Sequence, residues 1–475
     1  MAIVLPQKKR KSRLKQSLRF SFLDGVFAAV QFGLTDQFIT PLALLFGANN
    51  FAIGFLSFVR NSLVSIVQFY SADITKRLGS RKKTLMFSVL VAGLMWIPTY
   101  FLPFLFGGWR VAVFIILFAV TSCFNLLATP AWASLVSQYV PPSKRGQYFG
   151  FRGSTLGLIY FVSLLSGGLL LHVFESIGLF AGFAILICTA STMRLISWYF
   201  ITKMYEPPWH PEKSADFSFA DFVKRIRVSN FTRFAVFCGW LMFAVAIVSP
   251  FFAVYLLKEV GFGYVHYTFL MGATILTTYA TQRYWGIFAD KFGNFKIITL
   301  SAVLISFIPF LWLFTRSFYY LMLIQLLAGF LWAGYNLSTV NFIFDAAVTH
   351  KRERCVSYYN FLSGLGLGAG ALIGGLFYQF LPHLWGSNFY FLLIISGMLR
   401  LVFAACLFFA VKEVRTVQPV RPHMLLLDIA GFRAMGMLGK ELVVGLKKVR
   451  PGKAAKVLEK GRKKMELNGI EPSTS

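Results

Sequence analysis

Charged residues are scarce in this sequence. They make up 14% of its 475 residues while 57% are hydrophobic, and soluble domains carry about a quarter charged. That balance excludes a water-soluble globule and leaves a polytopic membrane protein. Cysteine is sparse too. Cys123, Cys188, Cys238 and Cys406 fall within apolar runs and Cys355 at a cytoplasmic edge, so neither an extracytoplasmic disulfide nor a metal site is expected. No His, Asp or Cys cluster suited to a nucleophile, base or metal centre occurs, which argues against a membrane enzyme. The glycine run "GLGLGAGALIGG", residues 364–375, has no strand and no P-loop lysine beside it. It reads as close helix packing, and no nucleotide or other cofactor is expected. A basic opening precedes the first apolar run without an A-x-A-like cleavage site after it, so that run is read as a retained helix.

What the chain has in abundance is apolar stretches of about 20 residues, the length that crosses a hydrocarbon core as helix. Twelve are expected, at residues 20–46, 51–72, 84–105, 111–138, 150–174 and 178–202, then 234–257, 264–288, 297–315, 318–345, 356–381 and 387–411. With the N-terminus inside, 40 of the 47 basic residues fall on the cytoplasmic side, and only Arg110, Lys258 and Arg316 on the other. Basic loops resist translocation and attract anionic lipid headgroups. The asymmetry therefore places both termini in the cytoplasm and assigns the net charge of +29 to the membrane rather than to nucleic acid. The expected fold is an all-α membrane protein with two pseudo-symmetric six-helix bundles, 20–202 and 234–411. They are flanked by a basic N-terminus, 1–19, a cytoplasmic linker, 203–233, and a basic tail, 412–475.

Weak internal similarity supports the duplication. The sixth spans read "STMRLI" (191–196) and "SGMLRLV" (396–402), which relates Arg194 to Arg400. The loops after the second spans, "SADITKRLGSRKK" (71–83) and "FADKFGNFK" (288–296), both run from an acidic residue through basic residues and glycine.

These loops resemble the signature of the major facilitator superfamily: Gly, two residues, a small residue, Asp, Arg or Lys, one residue, Gly, then basic residues. The second copy fits through Gly286, Ala289, Asp290, Lys291, Gly293 and Lys296, with Asn294 and Phe295 at two usual positions. In the first, Ala72 and Asp73 fit, but Phe69 stands where the first glycine belongs and three extra residues precede Gly79. The runs "PFFAVYLL" (250–257) and "LWAGYNL" (331–337) are similar to a prokaryotic branch of that family. The resemblance implies a cytoplasmic gate built from Asp73, Arg77, Gly79 and Arg81 in one half and Gly286, Asp290, Lys291 and Gly293 in the other. Arg145, Arg152 and Arg354 join it on the same grounds, although for each arginine alone positive-inside anchoring serves equally well. Gly293 is expected to permit a sharp turn and Gly286 to let another helix approach.

Ionisable groups at mid-membrane cost roughly 2.5 to 3.5 kcal/mol, so each should face a cavity or a partner. In the first span Gln31 and Thr35 share a face with Asp24, and Asp36 points elsewhere. Asp36 and Arg60 either form an ion pair, or Asp36 carries a coupling proton. The resemblance places the first and fourth helices of each half around a central cavity, which makes Gln31, Asp36, Arg60, Asn125, Trp132, Asn336 and Asn341 the candidates to line it. Asn and Thr also serve as interhelical glue. Asp345 is either a second proton carrier or a partner of Arg352 and Arg354 in the gate. The expected function is secondary transport of a small solute by alternating access, with protons as candidate coupling ions and the protein a monomer in the cell membrane. The competing reading is a transport-inactive receptor or scaffold of the same architecture.

Overall fold

The structure, a computed structural model, describes residues 7–141, 145–208, 218–347 and 352–414. The middle of the expected linker, the tail beyond residue 414 and the side chain of Arg145 lie outside the described residues.

Helices account for the regular structure among the described residues. The first half holds α1 (Gln7–Thr35), α2 (Ile39–Leu45), α3 (Asn50–Leu78), α4 (Arg81–Phe101), α5 (Arg110–Ser137), α6 (Arg145–Phe174) and α7 (Leu179–Thr202). A short α8 (Phe219–Lys224) follows in the linker. The second half holds α9 (Asn230–Ala246), α10 (Phe252–Val254), α11 (Tyr264–Phe292), α12 (Asn294–Leu311), α13 (Phe318–Ala346), α14 (Arg352–Phe377) and α15 (Phe389–Ala410). Among the described residues nine stretches are long and apolar enough to cross a membrane, and one of them, Arg81–Ser137, contains both α4 and α5. Neither α1 nor α11, whose polar residues include Asp24, Gln31, Arg283 and Asp290, is among the nine.

Local chemistry sets the ends. Asn49, Ser80, Ser218 and Ser229 cap α3, α4, α8 and α9 by accepting a hydrogen bond from a backbone N–H of the first turn. Gly79 ends α3 in the left-handed region, at φ 66°. Gly293 separates α11 from α12 alone, at φ 99°, which is the sharp reversal the sequence leads one to expect there.

The helices pair by one rule in both halves. In the first half α1 packs on α6 and α7, α3 on α5, and α4 on α5 and α7. In the second, α9 packs on α14 and α15, α11 on α13, and α12 on α13 and α15. These are the same pairings between corresponding helices, and the first helix of each half is interrupted, between α1 and α2 and again after α9. The halves meet along α3 with α14 and α6 with α11, an exchange of second and fifth helices that a twofold relation requires.

Close approach rests on α14. A methyl group on Gly366, Gly370 or Gly374 would come within 2.1 Å of the carbonyl oxygen of Gly239, Phe243 or Ile247 on the α9 side. Gly364, Gly368 and Gly375 face Ser65, Ser62 and Gly54 of α3 instead. One helix thus carries two small-residue rows, one within its half and one between halves.

Candidate functional site

At the start of α4, Glu206, four residues beyond α7, gathers the turn. It accepts from Ser80 Oγ at 2.5 Å and from the backbone N–H of Arg81 at 2.8 Å, with Arg81 Nε 3.6 Å away. Arg81 is 1% exposed and also donates to Gln138 Oε1 at 2.9 Å and to the Ser134 carbonyl at 3.2 Å on α5. A carboxylate at a helix N-terminus satisfies free N–H groups and opposes the helix dipole. The second half repeats the device. Glu413, three residues beyond α15, accepts from the N–H of Phe295 at 2.8 Å, and Phe295, like Arg81, stands two residues after the turn glycine. Asn294 donates to Asp345 of α13 at 2.7 Å, where Arg81 reaches α5. Neither glutamate stands out in the sequence. The signal available was their common position after the sixth helix of each half, behind Lys203 and Lys412.

The signature residues lie around these turns. Asp73 is half-buried and Arg77 exposed on the last turns of α3, and Asp290 and Lys291 are exposed at the end of α11, with Lys291 Nζ 4.6 Å from the Phe292 ring. Among the described residues a methyl at Gly286 would meet only Leu337 of α13, at an ordinary 3.6 Å. The tight contacts of α11 are made beside it, with Trp285 packed against Gly334 of α13, and farther off, with Phe161 packed against Gly272.

In the first copy an aromatic cluster replaces the small residue. Phe69 lies 5.7 Å from Tyr358 and 5.2 Å from Phe361 of α14, and 6.2 Å from Phe219 of α8. Phe222, fully buried, lies 4.9 Å from Tyr358. Beside the cluster a cavity of about 780 Å³ is lined by Ile66, Phe69, Tyr70, Phe219, Tyr358 and Phe361, with Ser218, Asp221 and Arg354. Ser218 hydrogen bonds hold the Asp221 carboxyl below its ordinary range.

Inside the spans, Arg60 donates to Asp36 at 3.1 Å, each side chain about one-third exposed (35% and 31%). The pair sits at the α1/α2 break, whose Gln37 carbonyl accepts from Tyr267 of the other half at 2.7 Å. Gln31 is fully buried and donates to Thr35 at 2.9 Å. Asn125 is buried, Asn336 exposed and Asn341 half-buried. Arg152 lies 4.1 Å over the Trp132 ring. Arg400 is buried and donates to the carbonyls of Ile305 and Val245 at 3.5 and 3.4 Å, the backbone role available to an intramembrane arginine.

Comparison with known proteins joins this geometry to a family. The sequence model of the Major Facilitator Superfamily matches residues 25–277 and 241–454. Over 152 residues the chain is 27% identical to the quinolone resistance protein NorA of Staphylococcus aureus, a match spanning 32% of this chain and 38% of that protein. A D-xylose–proton symporter has a TM-score of 0.67 at 13% identity over 85% of this chain and 99% of its own. The nucleoside transporter NupG has 0.59 at 12% over 82% and 98%. The human organic anion transporter MFSD10 has 0.57 at 14% over 83% and 99%. At such identities the three structures establish likeness of fold, and together with the family match over most of the sequence they mean that this chain belongs to the Major Facilitator Superfamily.

Proposed function

We propose that this multi-pass membrane transporter moves its small solute by rocking two six-helix bundles, residues 20–202 and 234–411, about a shared central cleft. The observation that carries the reading is the mirrored pairing of helices, with α3/α14 and α6/α11 as the major seams between the halves among the described residues. Two seams related by twofold exchange let one face part while the other closes. Twelve transmembrane helices with both termini in the cytoplasm account for the 40 basic residues on one side, which also meet anionic lipid of the plasma membrane. The protein acts as a monomer.

In this reading the turns at Gly79 and Gly293, braced by Glu206 and Glu413, are rigid ends on which the gate closes. Asp73, Arg77, Asp290 and Lys291 lie at its cytoplasmic rim, with Arg354 near the α3/α14 seam. Asp36 and Arg60 flank the cleft at the break in α1, and a proton exchanging on Asp36 couples solute movement to the proton gradient. Asp345, engaged by Asn294, belongs to the bracing rather than to coupling.

Purified protein in proteoliposomes should show counterflow of at least one labelled solute from a broad panel, accelerated by an imposed pH gradient. Absence of counterflow across the panel would leave the transport-inactive scaffold as the better account. Counterflow that ignores the pH gradient would remove the proton while keeping the transporter.

A further inference from the structure

The first half contains two buried charges, Asp24 and Arg194, with a half-buried third, Arg152, beside them. Asp24 of α1 is 4% exposed and accepts from Ser197 Oγ of α7 at 2.6 Å. Arg194 of α7, 5% exposed, and Arg152 of α6, half-buried, both act electrostatically on it, and the Trp132 indole of α5 lies beside the carboxylate. The Tyr148 hydroxyl of α6 and Ser21 of α1 complete the polar neighbours. A methyl group on Gly25 would fall 2.3 Å from Arg152 Nη2, so glycine at that position lets Arg152 lie against α1.

These charges are poorly matched. Each guanidinium presents about five N–H donors. Among the described residues Arg152 makes one hydrogen bond, a long one of 3.4 Å to the Ser21 carbonyl, and Arg194 makes none. Neither comes within 4.0 Å of a carboxylate oxygen, and Nε of both is buried without an acceptor. Arg400, the repeat mate of Arg194, does reach two carbonyls, at 3.5 and 3.4 Å, although its Nε too is buried without an acceptor. The first half instead gathers two positive groups and one negative, with donors in excess and acceptors lacking. Buried charged donors require acceptors, and an unmatched set marks a place where something else supplies them.

We propose that Asp24, Arg152 and Arg194 form a binding site for a monoanionic group, the carboxylate of an organic acid, held between the two guanidiniums. The charge count selects a monoanion: two arginines against Asp24 and one carboxylate sum to zero. Planar carboxylate matches the guanidinium fork. Trp132, stacked under Arg152, and Phe32, whose ring centroid is 5.6 Å from Arg194 Cζ, supply apolar walls for the rest of an aromatic or aliphatic acid. Asp24 acts as a positioning residue. It holds the arginines near α1 and, by repelling a second negative charge, discriminates against dianions. The inference rests on the transporter reading only in taking the bound acid to be the solute; binding itself stands apart from transport.

The test is equilibrium binding to the full chain in detergent, followed by Trp fluorescence and calorimetry, with benzoate, phenyl phosphate and benzylammonium at pH 8. Benzoate should bind saturably, and Arg194→Gln and Arg152→Gln should each weaken it at least about tenfold. Asp24→Asn should bind benzoate at least as well as the unaltered protein and should gain phenyl phosphate, because the repelling charge is gone. Trp132→Phe should keep the calorimetric signal and lose most of the fluorescence change. No saturable benzoate binding to the unaltered protein would overturn the proposal, whatever the variants do. So would preferential binding of benzylammonium that Asp24→Asn abolishes, since the site would then be a cation site. If benzoate binds but neither arginine variant weakens it, the acid sits elsewhere and the proposal is equally wrong.

Discussion

Glu206→Gln isolates what the bracing of α4 contributes. The carboxylate accepts from Ser80 and from the N–H of Arg81, and it stands 3.6 Å from a guanidinium that is 1% exposed. Gln keeps one oxygen for the Arg81 N–H but loses the charge that strengthens these bonds and opposes the dipole of α4. Breaking a fully buried pair costs about 3 to 5 kcal/mol. Here Arg81 retains Gln138 and Ser134, and Glu206 remains 21% exposed, so the expected loss is smaller. A charge-assisted bond plus a helix-end anion amounts to about 2 kcal/mol. For a cooperative unit of about 200 residues that lowers the unfolding temperature by roughly 4 to 8 °C. Thermal unfolding of purified protein in detergent measures it. Because Glu206, at the start of the linker, contacts Ser80, Arg81 and Lys82 of the first half, both transport states lose equally. Cysteine accessibility at the two faces should therefore stay as it is. An unchanged unfolding temperature would refute the energetic argument, and a changed accessibility pattern would refute the assignment of Glu206 to one half.

Gly370→Ala drives a methyl into the Phe243 carbonyl and should destabilise by about 1 to 3 kcal/mol, since overpacking against backbone cannot relax cheaply. Gly153→Ala, where a methyl meets nothing within 4 Å, should be neutral or stabilising by up to about 1 kcal/mol in the same unfolding assay. Phe69→Ala removes half-buried ring contacts across the α3/α14 seam worth about 2 kcal/mol; cysteines placed on the cytoplasmic side of α14 should then label faster, and unchanged labelling would exclude the cluster from gating. Asp36→Asn should abolish pH-driven accumulation while sparing solute exchange, and retained proton-driven uptake would remove Asp36 from coupling.

The helical architecture was legible because its cause is local: hydropathy, the distribution of lysine and arginine and the repeated turn loops are all properties of short windows. The turn at Gly293 was legible for the same reason, since a reversal with no intervening residue demands positive φ. What escaped was set by contacts between segments distant in sequence. Glu206 lies 125 residues from the Arg81 N–H it accepts from, and Ser197 lies 173 from Asp24. Helical spacing put Asp24 on one face with Gln31 and Thr35, yet nothing local showed that Asp24 meets Ser197 of α7. Gly286 matched the signature by residue type, but whether a helix approaches it depends on its neighbour, which sets Leu337 at an ordinary distance.

The departure at Phe69 shows why such mismatches carry meaning. A glycine at that position would allow two helices to touch; a phenylalanine holds them around a ring and needs other rings to fill the space. Here Phe219 and Phe222 of α8 fill it from the linker, on the same side of the seam as Tyr358 and Phe361. The linker is thereby part of the α3/α14 seam in the first copy, while the second copy meets Leu337 at Gly286 and uses the Asn294–Asp345 hydrogen bond. Parting α3 from α14 must therefore expose or displace the rings of α8, and parting α6 from α11 need not. The two seams are alike in topology but unequal in what opening costs, so a change in α8 acts on the α3/α14 side first.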